Sequence, residues 1–445
     1  MKKILYTLLV ILQLCNYRAV FAEQKIIMNE EQIIKLAGNF VENGNFENAE
    51  QILINLKNLK KKELEIERWF LLGQISAYRG DLETAIKIYR KLLDQNPNLS
   101  RIRFELAICY MKNKQWYRAD YHLRLSMADD NLTTDVKKIM NYYRQIIRLN
   151  KNWNFWFNFG IAPDNNINTA NGGEECVNTS FGIFCRQLPK PEYAFGLNFQ
   201  IGANYEFKIT DKIRIKSDTN IYTNIYNKHK FDNLNYSFST GPRYIGDDFD
   251  IWISGTFSKN WTDWEKYNFS KGFKINFNYD FTRKLSNSLY VHFNRNNYYE
   301  YENILNGNTY GLTNVISYSI DSSKYLSLKL GLDREYTIDP VYSNYKPLLS
   351  IGFGAELPHG FNIYIEPSIY WSFYDKERFY VKNGKFRKIK ERNFSQKYLL
   401  NVSNNKFDVF GFVPFVGIEY IKRTSNIWQK EFDKISFEFT LKQKF

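Results

Sequence analysis

Alternation of apolar and polar residues through the last two thirds of the chain limits its fold more than any other feature. Near the end of the chain, apolar Ile435, Phe437, Phe439 and Leu441 alternate with polar Ser436, Glu438, Thr440 and Lys442. Successive side chains of a strand point to opposite faces, so this pattern predicts strands with one apolar and one polar face. The alternation recurs back to Trp153. It therefore predicts an antiparallel transmembrane β-barrel with lipid outside and water inside.

Short polar connections alternate with longer ones along this region, as in outer-membrane barrels, whose periplasmic turns are short. The short ones lie near residues 210–211, 247–248, 284–287, 322–323, 358–360 and 404–405. The longer ones lie at residues 163–190, 227–233, 260–267, 302–307, 339–343, 375–391 and 423–430. Six short and seven long connections join 14 strands. Because this number is even, both ends of the barrel domain, residues 151–445, are expected on the periplasmic side.

The start of the chain has the pattern of a cleavable secretory signal. Basic Lys2-Lys3, an apolar run over Leu5–Leu14 and small residues ending at Ala22 predict a signal peptide over residues 1–22. Lipidation at Cys15 is disfavoured because a bulky leucine precedes it. The mean hydropathy is −0.48 although aromatic residues make up 18% of the chain. This combination excludes a helical membrane protein and fits a barrel, whose apolar surface is hidden by alternation.

Residues 23–150 show helical periodicity with a repeat of 34 residues. Trp69, Leu72, Gly73, Gly80, Ala85, Tyr89 and Pro97 have the spacing of a tetratricopeptide repeat. Units related to it contain Leu106, Ala119 and Leu123 on one side and Leu36, Ala37, Phe40, Gly44, Ala49 and Leu53 on the other. Three units predict an all-α periplasmic solenoid with a concave surface. Its candidate groove residues are Phe70, Gln74, Phe104, Ile108 and Met111, although the apolar ones also suit an ordinary core between repeats.

The stretch Asn158–Ala170, which follows the first strand directly, carries the pattern Gly-x-Ala-Pro-Asp-x-Asn-Ile-Asn over Gly160–Asn168. With the signal, the repeats and the barrel, it resembles the surface lipoprotein assembly modulator (Slam) family. This resemblance implies an outer-membrane translocon that delivers client lipoproteins or secreted proteins from the periplasm to the cell surface. It places Ala162, Pro163, Asp164, Asn166, Ile167 and Asn168 in the first external loop or the lumen. These residues either contact the client or form a turn-rich segment that stabilises the barrel rim.

A cysteine pair and the end of the last strand are two further features of the barrel domain. Cys176 and Cys185 flank a segment rich in Gly and Asn, and an oxidising compartment favours a disulfide between them over two free thiols. The last strand ends on Phe445 after Phe437, Phe439 and Leu441. This ending resembles the signal that the outer-membrane barrel-assembly machinery recognises, so that machinery is an expected partner, as is outer-membrane lipid.

No set of residues points to catalysis, a cofactor or a metal site. The four histidines, His122, His229, His292 and His359, are scattered, and the sequence lacks paired ligand spacing, a nucleophile elbow and a phosphate loop. The net charge of +14 suits either an anionic cargo or a genome rich in Lys and Asn, and no nucleic-acid partner is expected. Two alternative functions remain open: an exopolysaccharide export barrel with periplasmic repeats, or a passive porin.

Overall fold

The structure, a computed structural model, describes residues 28–56, 59–407 and 412–443. The predicted signal peptide and Phe445 lie outside these residues. The chain forms two compact units, one up to Ile75 and one from Ser76. Among the described helices, none is both long and apolar enough to cross a membrane.

The first unit contains helices α1 (Glu30–Glu42) and α2 (Phe46–Asn55) and most of α3 (Lys62–Tyr78). Helix α1 begins with a capping box, in which Asn29 and Gln32 each accept a hydrogen bond from the other's backbone N–H. The core contains Ile34, Ala37, Val41, Ala49, Leu53, Leu71 and Ile75. Its small members lie where the repeat pattern requires close approach of two helices.

Four more helices open the second unit: α4 (Leu82–Gln95), α5 (Ser100–Lys112), α6 (Trp116–Ser126) and α7 (Thr134–Asn150). The turns between repeat helices require a residue with positive φ, which favours glycine. Gly44 and Gly80 fill this place at φ +75° and +86°, but Lys114 fills it at φ +56°. A lysine there adopts the left-handed conformation at a cost in free energy.

Fourteen strands of the described chain close into an antiparallel barrel. They are β1 (Trp153–Asp164), β4 (Ala194–Lys208), β5 (Ile213–Tyr226), β6 (Asn233–Ile245), β7 (Phe249–Thr262), β8 (Glu265–Asp280), β9 (Leu285–Tyr298), β10 (Gly307–Ser319), β11 (Lys324–Thr337), β12 (Asn344–Glu356), β13 (Phe361–Lys382), β14 (Lys385–Asn404), β15 (Phe412–Ser425) and β16 (Phe432–Gln443). Each strand pairs with its neighbours in sequence, and β1 pairs with both β4 and β16. The predicted fold, a helical repeat region followed by a 14-strand barrel, is confirmed.

Smaller elements lie in the connections. A separate hairpin, β2 (Glu174–Thr179) and β3 (Gly182–Gln187), lies between β1 and β4, and a short helix, α8 (Glu302–Leu305), lies between β9 and β10. The sequence pattern did not predict this hairpin, because its strands alternate weakly and their side chains are mostly exposed.

Two of the predicted long connections are wrong. Residues 260–267 contain only a two-residue turn, Asp263-Trp264, and residues 375–391 form a hairpin closed by Asn383-Gly384. Both turns have two consecutive positive φ angles, which match the twist of paired strands. In the second case the strands were missed because charged residues interrupt the apolar alternation there.

Candidate functional sites at the two ends of the barrel

Helices α5 and α6 are fastened to the turn end of the barrel by a buried ion pair. The Arg103 guanidinium and the Tyr121 hydroxyl both donate to Glu356, the last residue of β12. Arg103 is fully buried and also donates to the carbonyl oxygen of Pro97 at 2.6 and 2.9 Å. Burial, together with the Glu356 carboxylate, raises the pKa of Tyr121 well above its usual value. Because burial makes an unpaired charge costly, this contact fixes the helices on the barrel.

Helix α7 is fastened to two other turns at the same end. Arg144 pairs with Asp280 at the end of β8. Arg148 donates to the carbonyl oxygen of Asp247 at 2.6 Å and lies 3.6 Å from the Asp250 carboxylate. Burial, and then repulsion from Arg148, lowers the pKa of Arg144 to about 10. The helix therefore holds the β6–β7 and β8–β9 turns together.

A third network continues this junction into the barrel wall. Buried Arg214 lies 3.3 Å from an oxygen of Glu206 and donates to the carbonyl oxygen of Leu149, near the C-terminus of α7. Arg243 bridges Glu206 and Asp250, the latter at 3.2 Å. A cation near a helix C-terminus is favourable because the exposed carbonyl groups carry partial negative charge. The end of α7 is thus part of the wall's charge network.

A cavity of about 550 Å³ lies between helices α6 and α7 and the inner wall. On the helical side, Tyr121, Leu125 and Arg144 line it. On the barrel side, the lining is largely small and polar: Ser286, Ser288, Ser317, Asn362, Asn401 and Ser403. A folded domain of 100 residues occupies on the order of 10,000 Å³, so this space admits an extended segment but no folded protein.

At the opposite end of the barrel, residues 164–168 hold the first strand against the last. We call them the seam segment. Asp164 is buried, and its carboxylate lies 2.8 Å from Lys434 Nζ and accepts the Asn166 N–H at 2.9 Å. The Asn166 side chain, also buried, donates to the Asp433 carbonyl oxygen at 3.0 Å. Asn165 exchanges two hydrogen bonds with the backbone of Ile435, at 2.8 and 3.2 Å.

The rest of the seam segment holds the returning chain. The Ile167 N–H donates to the Glu192 carbonyl oxygen at 2.9 Å, and Asn168 accepts the Glu192 N–H at 3.0 Å. Asn168 also donates to the Lys190 carbonyl oxygen at 2.8 Å. The side chains of Asn165, Asn166 and Asn168 are therefore bonded to backbone of the barrel rim, whereas that of Asp164 pairs with Lys434.

The β1–β16 seam is interrupted just before this segment. Within the described strands, register partners run from Asn158–Lys442 to Ile161–Phe439 and resume at Asp164–Ser436, so Ala162 and Pro163 have none in β16. Proline has no N–H to donate. A Cβ on Gly160 would lie 2.2 Å from the Phe439 carbonyl oxygen, so this position admits only glycine. Together these contacts explain why Gly, Pro, Asp and Asn occur at this spacing.

The other predicted residues lie as follows. Phe70 is buried, whereas Gln74, Phe104, Ile108 and Met111 are half-buried. The Phe104 ring makes an edge contact with Tyr143 of α7, with ring centroids 5.8 Å apart. Cys176 and Cys185 are joined by a disulfide across β2 and β3. Phe437 and Phe439 are exposed on the apolar face of β16. A binding role for the groove residues and an assembly role for the end of β16 stay predictions.

Two family models match the chain. One, described as surface lipoprotein assembly modifier, matches residues 153–445. The other, described as the N-terminal TPR repeats of the same protein, matches residues 19–123. The chain belongs to the surface lipoprotein assembly modifier family. The resemblance seen at Gly160–Asn168 is thereby confirmed, and the closed barrel in this family supports an outer-membrane location.

Relatives in this family have diverged in sequence. A surface lipoprotein assembly modifier of Pasteurella multocida is 21% identical over 387 residues, which cover 83% of this chain and 75% of the relative. Surface lipoprotein assembly modifier 1 of Haemophilus influenzae is 21% identical over 399 residues, which cover 87% and 79%. The match to the Moraxella catarrhalis protein, 23% over 310 residues, covers 67% and 59%. At this identity the family is shared, and individual residue roles rest on the structure.

Proposed function

We propose that this family member is an outer-membrane translocon that delivers client proteins, surface lipoproteins or related secreted proteins, from the periplasm to the cell surface. The junction between α4–α7 and the turn end supports the proposal, because it puts a helical gate over a cavity at one barrel mouth. A passive porin has no need for such a gate. The helical region, residues 23–150, is then periplasmic, the barrel of residues 151–445 spans the membrane, and residues 1–22 are the export signal.

The orientation follows from the lengths of the connections. Short turns of outer-membrane barrels face the periplasm and longer loops face outward. The helices contact the turn end through Glu356, Asp280 and Asp247. The seam segment then faces the outside, and exposed residues such as Phe437 and Phe439 contact lipid. Insertion by the barrel-assembly machinery is part of the same proposal.

The gate has to move if a client passes. The cavity admits a segment but no folded domain, so the client enters extended, or the helices lift from the turns. The turn after α4 touches the β10–β11 turn, where the Asn98 side chain accepts the Ser322 N–H at 3.2 Å. A disulfide between these two positions would tie the helices to the barrel. Neither Asn98 nor Ser322 lines the cavity or forms an ion pair.

Deleting the gene tests the proposed function directly. Intact cells are treated with protease, and the accessibility of every lipoprotein is compared with wild type. We expect at least one lipoprotein to become protected while its cellular amount stays unchanged, with recovery on complementation. If every lipoprotein stays accessible and every secreted protein still reaches the medium, the proposal is wrong. Free conduction of small solutes by the purified protein would instead favour the porin alternative.

The double variant Asn98→Cys with Ser322→Cys tests the gate in the same cells. We expect oxidation to block display and a reductant to restore it. Each single cysteine variant is the control for the substitution, and wild type with reductant is the control for reduction of Cys176–Cys185. Normal display by the fully oxidised double variant would show that the helices need not separate from this turn.

A further inference from the structure

Two hairpins on the loop side of the barrel carry the most exposed large apolar side chains of the described chain. Phe181 is 91% exposed and Ile183 70% exposed in the β2–β3 hairpin. Phe379 and Phe386 are 68% and 65% exposed in the distal part of β13 and β14. We call residues 174–187 and 376–392 together the outer platform. Apolar surface in water is unfavourable by about 25 cal/mol per Å², so a group of exposed apolar side chains at one end of the barrel points to an interaction surface.

The outer platform is a built structure. The Cys176–Cys185 disulfide closes its first hairpin. The Asn178 N–H donates to the Gly384 carbonyl oxygen at 2.7 Å, which joins the two hairpins. Gln429 donates to both, to Glu175 at 2.6 Å and to the Val381 carbonyl oxygen at 3.0 Å. The exposed side chains are therefore presented on a fixed scaffold.

The platform lies above the rim of the barrel. Pairing of β13 with β12 and of β14 with β15 stops at Tyr374 and Asn393, and the hairpin continues to Lys382, eight residues beyond Tyr374. Eight residues extend about 26 Å along a strand, whereas the headgroup region of one leaflet is roughly 6 Å thick. The β2–β3 hairpin follows β1, and β14 is the third strand from β1 through β16 and β15. The platform thus bridges β15 and β16 at the barrel mouth. This position, above the membrane surface, favours as its ligand a protein that leaves the barrel.

The second hairpin of the platform is strongly basic. Residues 376–392 contain eight basic and two acidic residues, a net charge of +6: Lys376, Arg378, Lys382, Lys385, Arg387, Lys388, Lys390 and Arg392 against Glu377 and Glu391. Opposite residues of the hairpin share a face, so Phe379, Lys388 and Phe386 lie on one side. The Lys388 ammonium group is 5.3 Å from the centre of the Phe379 ring. Two exposed aromatic rings beside a cation match a partner with carboxylates next to apolar side chains.

We propose that the outer platform binds the client protein as it emerges, through a client segment in which acidic residues alternate with apolar ones. This inference rests on the proposed function for the identity of the ligand, and on the proposed orientation for its place outside the cell. The binding site itself is defined by the Phe379–Phe386 face and the neighbouring lysines.

The experiment measures binding of fluorescent peptides to the full-length protein in nanodiscs by anisotropy. The probes are a peptide of alternating Glu and Leu, one of alternating Lys and Leu, and one of alternating Glu and Ser. We expect only the Glu–Leu peptide to bind, with affinity falling at least tenfold between 0.05 and 0.5 M salt because the cations are exposed. Equal binding of the Lys–Leu peptide would overturn the proposal.

The variant Phe379→Ser with Lys388→Glu is expected to weaken Glu–Leu binding at least tenfold. The control, Phe207→Ser with Lys208→Glu, changes another exposed phenylalanine and lysine, at the turn end, and should bind as wild type. Unchanged gel migration of unboiled samples shows that both variants keep a folded barrel. Equal peptide affinity in all three proteins overturns the proposal. So does a Phe379→Ser, Lys388→Glu variant that still binds the peptide but no longer binds lipopolysaccharide micelles, because the platform would then recognise lipid.

The gene-deletion test separates this proposal from the proposed function. Peptide binding is measured without transport, so it can fail while lipoprotein display still depends on the gene. Conversely, if the peptide binds through the platform but display is normal in the deletion strain, the proposed function is refuted and the peptide-binding site remains.

Discussion

The two ends of the barrel are held together by different physical means. At the turn end, buried charges such as Arg103 and Glu356 join elements far apart in sequence. At the loop end, the seam segment also joins residues far apart in sequence, but it does so mainly through amide side chains and backbone, with one ion pair, Asp164–Lys434. Breaking a buried ion pair leaves an uncompensated charge, whereas losing one neutral hydrogen bond costs less. The difference teaches that the loss of one contact is expected to cost more at the turn end than at an amide hydrogen bond of the seam segment.

The largest expected effect is at the turn end. Replacing Arg103 with Met leaves Glu356 without its buried cation, and we expect docking of α5 and α6 to weaken by about 3–5 kcal/mol. Hydrogen exchange of these helices in the full-length protein measures the loss of protection. Lys112→Met, at an exposed position of the same helix, is the control. If a second change, Glu356→Met, brings no recovery, the ion pair is not what fastens this end.

The second effect tests the seam. A methyl group on Gly160 would collide with the Phe439 carbonyl oxygen, so Gly160→Ala should destabilise barrel closure by about 3 kcal/mol. The temperature at which unboiled protein loses its compact gel migration reports the change. Gly255→Ala is a matched control within β7, because its Cβ would meet nothing nearer than the Thr240 carbonyl oxygen at 3.9 Å. If this temperature falls equally in the two variants, the close contact at Gly160 does not contribute specially to barrel closure.

The third effect concerns pH at the turn end. Burial opposes ionisation of Asp120 in α6, but Arg124 and Lys151 outweigh it and lower the pKa of its carboxyl from 3.8 to about 2. Because the folded pKa is below the unfolded one, the stabilisation is present above pH 3.8 and is lost as pH falls toward 2.

Asp120→Asn should therefore lower the unfolding free energy of the helical part by about 2 kcal/mol at pH 7 and little at pH 2. Chemical denaturation followed at both values measures this. Asp135→Asn, at an exposed position of α7, should change neither. A pH-independent loss for Asp120→Asn would mean that packing, and not charge, holds this position.

The smallest expected effect is a gain, and it is independent of both ends. Lys114 adopts φ +56° where the preceding repeats have glycine, so Lys114→Gly should stabilise the helical part by about 1 kcal/mol. Thermal unfolding followed by circular dichroism would show it. Asn113→Gly is the control, since its φ of −83° gives glycine no advantage. Destabilisation by Lys114→Gly would mean that the lysine side chain makes up for its backbone strain.

What could be predicted from the sequence depends on whether a contact is local or distant in the chain. The alternation, the repeat and the Gly160–Asn168 pattern are local, and they gave the fold and the family. The Arg103–Glu356 pair joins residues 253 apart, so no spacing reveals it. Its one available signal was the presence of charged residues at strand ends next to the lumen. The β13–β14 extension was missed because Lys385–Lys390 lies outside lipid, where apolar alternation is not required.

The contact between Gly160 and Thr440 joins residues 280 positions apart. Bringing the ends of so long a segment together costs about 5 kcal/mol of chain entropy before any pairing repays it. No cylinder can exist until the ribosome has finished nearly the entire polypeptide. If the chain is exported as proposed, its barrel therefore closes only after the crossing of the inner membrane is complete.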